Sequence, residues 1–271
     1  MMSQQSRFLT LLRLLASDPA AQGLLDDVAI LPVGDTRLIL TSDTMVEGVH
    51  YLPTDPPADI GWKLAAVNLS DLAAKGARPV GCLMNYALSG DDGWDAAFVE
   101  GLGEALDRHA MPLLGGDTVR MPVGAPRSYS LTAIGEATGP VPVRSGAQAG
   151  DRLYVTGSVG DAGIGLDLAR ANPRASGPLV DAYRRPRPRL VEGALLAPHV
   201  HAMMDISDGL LIDAWRMAAA SGLAVTIDHI PLSPALEAVR GASNATMIAA
   251  ARAGDDYELL FALPPGVTPP V

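Results

Sequence analysis

Residues 58–75 read Ala-Asp-Ile-Gly-Trp-Lys-Leu-Ala-Ala-Val-Asn-Leu-Ser-Asp-Leu-Ala-Ala-Lys. Trp62, Ala65, Ala66, Leu69, Leu72 and Ala73 recur at helical spacing and form an apolar stripe, so the stretch is predicted as a long helix. Gly76 and Pro79 supply its stop signals. Asn68, Asp71 and Lys75 fall on an adjoining polar edge, an arrangement that lets Asp71 face a site while the stripe faces a core.

Upstream, an amphipathic helix is expected near residues 5–16. Residues 7–16 mimic a signal peptide, but Arg13 interrupts the run, and Phe8, Leu11, Leu12 and Leu15 share one helical face. Val28–Val33 and Arg37–Thr41 flank Gly34-Asp35-Thr36 and read as a hairpin. Downstream come a strand at Val80–Ala87, a helix from Trp94 to His109, a short strand Met111–Leu114 that ends in Gly115-Gly116-Asp117-Thr118, and a strand at Ser128–Glu136.

Thr138–Gly150 is rich in Gly, Pro and Val and reads as a boundary. Strands are then expected at Arg152–Thr156, Met203–Ile206, Leu223–Ile227 and Tyr257–Leu263. Helices are expected from Asp161 to Ala171, over Arg189–Leu196, from Ser207 to Ala220 and near Ala245–Arg252. Pro173–Pro188 reads as a loop. Strands and helices mix without strict alternation, which favours an α+β protein of two halves, residues 1–140 and 150–271.

Aspartates recur along this frame in short turn-like motifs: Asp26-Asp27, Thr41-Ser42-Asp43, Asn68-Leu69-Ser70-Asp71, Gly115-Gly116-Asp117-Thr118, Asp205-Ile206-Ser207-Asp208-Gly209 and Gly254-Asp255-Asp256-Tyr257-Glu258. Carboxylates gathered from distant segments repel unless cations sit between them. Hard oxygen ligands suit magnesium, which bridges phosphates. The first reading is therefore a site where several Mg²⁺ ions hold phosphate groups. Each residue alone has a plainer reading: Ser207 or Asp208 as a helix cap, Asp117 as a turn residue, Asp71 as a solvated side chain, His50 as a structural histidine. Asp26 beside Asp27 is ambiguous and can instead bond the loop. His199 and His201 read as surface or packing residues.

Bulk composition agrees. The chain has 271 residues, 48% of them hydrophobic but only 4% aromatic, so the core is mostly Ala, Leu and Val. A formal charge of −10 argues against a nucleic-acid partner. With two lysines, Lys63 and Lys75, phosphate contacts fall to arginine, backbone N–H groups or metal. The single cysteine, Cys82, reads as a buried thiol, which fits a reducing cytoplasm. No apolar stretch is long enough to span a bilayer. The Walker A run, the Gly-x-Gly-x-x-Gly fingerprint and the protein-kinase signatures are all missing from the sequence. Arg184, Arg185, Arg187 and Arg189 look like a phosphate clamp, but their Pro-broken spacing reads as a solvated loop.

Read together, the motifs resemble thiamine-monophosphate kinase, of the superfamily that includes aminoimidazole ribonucleotide synthetase and selenophosphate synthetase. The matching runs are Asp26-Asp27-Val28-Ala29, Thr41 to Tyr51, Lys63 to Ala74, Gly115 to Thr118, Arg144-Ser145-Gly146-Ala147, Asp205 to Gly209 and Gly254 to Leu259. The Val46-Glu47-Gly48-Val49-His50 run and the Asp255-Asp256-Tyr257-Glu258-Leu259 run are the most pointed.

The resemblance implies transfer of phosphate from ATP to thiamine monophosphate. It implies an N-terminal domain whose mixed sheet dimerises and a C-terminal α/β sandwich domain, with ATP and Mg²⁺ between them. Asp27, Thr41, Ser42, Asp43, Asp71, Asp117, Asp205 and Asp208 would be the metal-linked group. Gly116, Asp117, Arg144 and Ser207 would contact ATP, and His50 and Asp255 the thiamine phosphate. A related synthetase with another acceptor, or a non-catalytic nucleotide-binding or dimerisation module, are the other readings. Leu25 stands where the family commonly has glycine, Asp255 where it often has glutamate and Lys75 where an apolar residue is usual. The stop at Val271 implies a C-terminal domain incomplete at its end.

Overall fold

In the computed structural model, which describes residues 4–271, the strands form two sheets. After helix α1 (Gln4–Arg13), strands β1 (Ala29–Val33) and β2 (Thr36–Val46) make the expected hairpin, turning at Gly34 with φ +58°. They join β3 (Ala77–Leu88), β4 (Leu113–Arg120) and β5 (Ser128–Ala137) in the order β1-β2-β5-β3-β4. The β3–β4 pair is parallel and the other pairs are antiparallel, so the sheet is mixed.

Helix α2 (Pro57–Ala73) packs on this sheet beside α3 (Asp92–Arg108). Their backbones touch: a Cβ on Gly101 would lie 1.8 Å from the Ala58 carbonyl oxygen. Leu64, Leu69, Leu72, Phe98 and Tyr129 are sealed in the shared core.

The second sheet has the order β6-β8-β7, antiparallel throughout, from β6 (Arg152–Val155), β7 (Ala202–Asp205) and β8 (Leu259–Leu263). Around it lie α4 (Asp161–Ala171), α5 (Pro178–Arg184), α6 (Leu190–Leu196), α7 (Leu210–Ala220), α8 (Pro234–Arg240) and α9 (Asn244–Arg252). The architecture is the expected two-domain α+β one.

Several expectations are corrected. Helix α2 has no solvated polar edge: every residue from Ile60 to Ala73 is buried. The sheet, α3 and α6 enclose it, and a Cβ on Gly193 of α6 would lie 2.0 Å from the Ala73 carbonyl. Polar residues on α2 are thus forced to find protein partners. Thr41-Ser42-Asp43 and Gly115 to Thr118 are not turns; they lie inside β2 and β4. Residues 173–188 are not all loop, because Pro178 opens α5 at a position where a missing N–H costs nothing. Residues 223–227 form no strand, since β6 and β7 pair only with β8 among the described residues. An alternating pattern without a neighbour has no acceptor for its backbone N–H groups.

The arginine-rich segment is not a solvated loop either. Arg184 is buried with its Nε 2.9 Å from Asp55, Arg185 bonds Asp59 and Glu104, and Arg189 grips Glu258. The Arg184 and Arg185 pairs clamp the second domain to the first, and the Arg189–Glu258 pair lies within the second. Leu25 has φ −106°, a conformation open to any residue, and the left-handed backbone falls instead on Gln22, Gly23 and Leu24.

Candidate functional site

Strand pleating sorts the β2 motif. Thr41 and Asp43 point toward α2, and Ser42 points to the opposite face, where its hydroxyl lies 3.0 Å from that of Thr132 on β5. Thr41 Oγ1 donates to Asp71 Oδ2 at 2.5 Å, and the Asp43 N–H donates to Asn68 Oδ1 at 3.1 Å. Asp71 lies one residue after Ser70 on α2, and the Ser70 hydroxyl donates to Asp205 Oδ2 at 2.7 Å. Asp205 ends β7 of the other domain. Asp27 enters from the loop before β1.

Asp27, Asp71 and Asp205 each offer an oxygen within 4.8 Å of the other two. Three carboxylates this close, two of them buried and the third half-buried, repel one another strongly unless a cation sits between them. Burial, then the charges of Asp205, Asp43 and Asp27, hold the Asp71 carboxyl well above the usual carboxylate range. Burial and the Asp27 charge push Asp205 up to about 7, and the same two causes raise Asp43. Asp27 Oδ2 is buried and has no hydrogen-bond partner among the described residues. The Arg144 guanidinium bonds the other oxygen of Asp27. An orphaned carboxylate oxygen in a hard-oxygen cluster fits a divalent cation.

Asp26 turns away from this cluster. Its oxygens accept from the Asp27 N–H at 2.8 Å, the Arg144 N–H at 3.0 Å and Lys75 Nζ at 2.5 Å. Burial alone would raise its pKa, but Lys75 and the two N–H groups outweigh it and hold the carboxyl below its ordinary value.

At the other end of α2, buried Lys63 donates to Asp255 Oδ2 at 2.8 Å and to the His50 carbonyl at 3.1 Å, and its ammonium sits 4.3 Å over the Tyr183 ring. Lys63 therefore joins His50 and Asp255. Asp255 adopts φ +70°, and Tyr257 donates to its second oxygen. His50 is exposed, with Nδ1 accepting from the Val46 N–H at 3.0 Å.

Ser207, Asp208, Gly254 and Asp255 line one cavity of about 540 Å³. Ser207 and Asp208 do not cap α7. Asp213 accepts from the Asp208 and Gly209 N–H groups instead, which leaves the Ser207-Asp208 turn facing the cavity. Asp208 itself is exposed and paired with Arg216. A larger cavity of about 660 Å³, between β6 and residues 226–231, holds none of the expected site residues.

Gly116 and Asp117 stand apart. They lie on β4, at the far end of the sheet from β1 and β2, and Asp117 is exposed with Oδ1 accepting from the Thr118 N–H. The structure thus gathers Asp27, Thr41, Asp43, Asp71, Asp205 and Arg144 at one centre. It places Ser207, Asp208 and Asp255 along one cavity, and His50 beside Asp255 through Lys63. Sequence reasoning gave no site role to Lys63, Asn68, Ser70 or Lys75. Their signal was polarity within, and for Lys75 just after, an otherwise apolar helix.

Known proteins are similar to this chain in sequence and in fold. Residues 25–137 match the N-terminal domain of AIR synthase related proteins, and residues 148–265 match their C-terminal domain. The thiamine-monophosphate kinase of Caulobacter vibrioides is 40% identical over 261 residues, spanning 92% of this chain and 73% of that protein. Among solved structures, AaThiL complexed with AMPPCP and TMP superposes with a TM-score of 0.87 at 29% identity, covering 97% of this chain and 87% of that one. The thiamine-monophosphate kinase of Stenotrophomonas maltophilia K279a superposes with a TM-score of 0.79 at 38% identity, covering 94% and 84%. Sequence motifs, two-domain fold and relatives agree: the chain belongs to the thiamine-monophosphate kinase family.

Proposed function

We propose that this chain transfers the terminal phosphate of ATP directly to thiamine monophosphate, releasing thiamine diphosphate and ADP. The observation that carries this reading is the buried Asp27–Asp71–Asp205 cluster, built from both domains and left with an unsatisfied oxygen on Asp27.

The acceptor is a phosphate monoester with a second pKa of about 6, so its attacking oxygen is ionised at neutral pH and needs no general base. The obstacle is repulsion, roughly 4 kcal/mol for each pair of unit charges near 4 Å at an effective dielectric of 20. Mg²⁺ ions, when bound, would supply the positive charge that offsets this repulsion. Asp27, Asp71 and Asp205 would hold them, with Thr41 and Asp43 beside the cluster, while Asp208 lies along the cavity with Ser207 and Ser42 faces the other side of β2. Arg144 and Ser207 contact the nucleotide. His50 and Asp255 orient the thiamine phosphate, and Lys63 holds both in place.

Gly116 and Asp117 reach the phosphates from a second copy. All eight residues of β4 are exposed, as are Leu83, Leu113, Leu114 and Val119 on β3 and β4, a surface suited to a homodimer through this edge of the sheet. A cytoplasmic setting suits the free, buried Cys82, and among the described residues no helix is long and apolar enough to cross a membrane.

Coupled ADP release tests the reaction. Turnover is expected with Mg²⁺, ATP and thiamine monophosphate. Turnover with another phosphate or nitrogen acceptor, and none with thiamine monophosphate, overturns the reading.

A further inference from the structure

We propose that Lys75 is a built-in cation that takes the place of a metal ion on Asp26. It thereby decides that Asp27, and not Asp26, is left to bind one. The inference rests on the reading of Asp27, Asp71 and Asp205 as ligands of divalent ions.

Lys75 is wholly buried, a rare state for an ammonium group and one that survives only when the charge is paired. Its Nζ lies 2.5 Å from Asp26 Oδ1 and 3.5 Å from the Met203 carbonyl of β7. Three segments meet at this ammonium: the loop before β1, the end of α2, and β7. Each also delivers one member of the acidic cluster, Asp27, Asp71 and Asp205 respectively.

Adjacent aspartates have thereby been given opposite states. Both Asp26 oxygens are occupied, one by Lys75 and the Asp27 N–H, the other by the Arg144 N–H. Asp27 keeps a buried oxygen with no partner among the described residues. A cation entering the cluster meets the unsatisfied oxygen of Asp27, while Asp26 is turned aside and neutralised by Lys75.

The Asp26 bonds also tie down the backbone of Asp27 and Arg144, so the ammonium positions both through Asp26. With Lys75 removed, Asp26 is a buried carboxylate with no counter-charge. Carboxylates in that state either take up a proton or recruit a cation, and the vacated side-chain volume would lie between the Asp26 carboxylate and the Met203 carbonyl oxygen.

The test is a count of bound ions, which a purely structural lysine would not change. Mn²⁺ is titrated into the full chain in the presence of a non-hydrolysable ATP analogue, and bound ions are counted by electron paramagnetic resonance. Lys75→Ala is expected to bind one more Mn²⁺ per chain than the wild type. The double variant Lys75→Ala with Asp26→Asn is expected to return to the wild-type count. Independently of whether Lys75→Ala folds, Asp26→Asn is expected to keep the wild-type count and Asp27→Asn to lose one ion.

Loss of an ion from Asp26→Asn overturns the proposal, because Asp26 is then a ligand. An unchanged count in folded Lys75→Ala overturns it as well. A wild type that binds no Mn²⁺ instead removes the metal reading on which it rests.

Discussion

Replacing Asp205 by asparagine is expected to stabilise the metal-free protein while abolishing its activity. Burial and the charge on Asp27 move the Asp205 carboxyl from 3.8 in the ordinary case to about 7. Between those values the folded chain holds a proton that the unfolded chain has released, so stability falls as pH rises. A gap of about three pH steps at ~1.36 kcal/mol each amounts to about 4 kcal/mol at pH 7, and about 1.6 kcal/mol at pH 5.

An independent route gives the same order. One pair of charges 4.8 Å apart, the outer limit of the cluster, repels by about 3.5 kcal/mol at an effective dielectric of 20. Asparagine removes the charge and still offers an oxygen to the Ser70 hydroxyl that now donates to Asp205. Urea unfolding in EDTA should therefore find Asp205→Asn more stable than wild type at pH 7 and nearly equal to it at pH 4. Adding Mg²⁺ with an ATP analogue should reverse the order at pH 7, because the wild type gains a bound ligand and the variant has lost an anchor for it. A variant less stable than wild type in EDTA at pH 7, or a gap that does not widen from pH 5 to pH 7, would refute the reasoning.

Asp117→Asn should abolish turnover with little loss of fold, since the side chain is exposed on β4. If the site is shared between copies, mixing it with inactive Asp27→Asn should restore about a quarter of wild-type activity, the statistical share of intact sites in a randomised dimer; an inactive mixture argues against sharing. Arg184→Met strands the buried Asp55 carboxylate and should cost about 3–5 kcal/mol in urea unfolding, with part recovered by adding Asp55→Asn. Gly101→Ala drives a methyl into the Ala58 carbonyl between α3 and α2, and about 1–3 kcal/mol of stability should be lost with no change in the Michaelis constant for either substrate; an unchanged unfolding midpoint would show that the two helices can part.

The local elements were legible where short-range rules act alone. The stripe from Trp62 to Ala73 marked α2, Gly34-Asp35 marked the first hairpin, and the Gly and Pro content of residues 138–150 marked the gap between Ala137 and Arg152, where one sheet ends and the other begins. The family was legible as well, because the aspartate motifs kept their order along nearly the whole chain. Misreadings fell where a neighbour decides. Residues 223–227 alternate like a strand yet have no partner among the described residues, and Arg184, Arg185 and Arg189 look solvated only until Asp55, Asp59 and Glu258 are brought to them, whereas Arg187 is exposed as expected.

Sequence alone determined which residues this protein has: aspartates recurring in short motifs, no motif of the common nucleotide folds, and a helix to carry Asp71. Tertiary structure decided how they are used. Asp27, Asp71 and Asp205 converge because α2 is enclosed by both domains, Ser42 is turned from Thr41 by the pleat of β2, and Asp26 is separated from its neighbour by a lysine 49 positions away. The reason is one of range: helix and turn preferences act within a few residues, while the pairing of buried charges depends on which distant segments packing brings into contact.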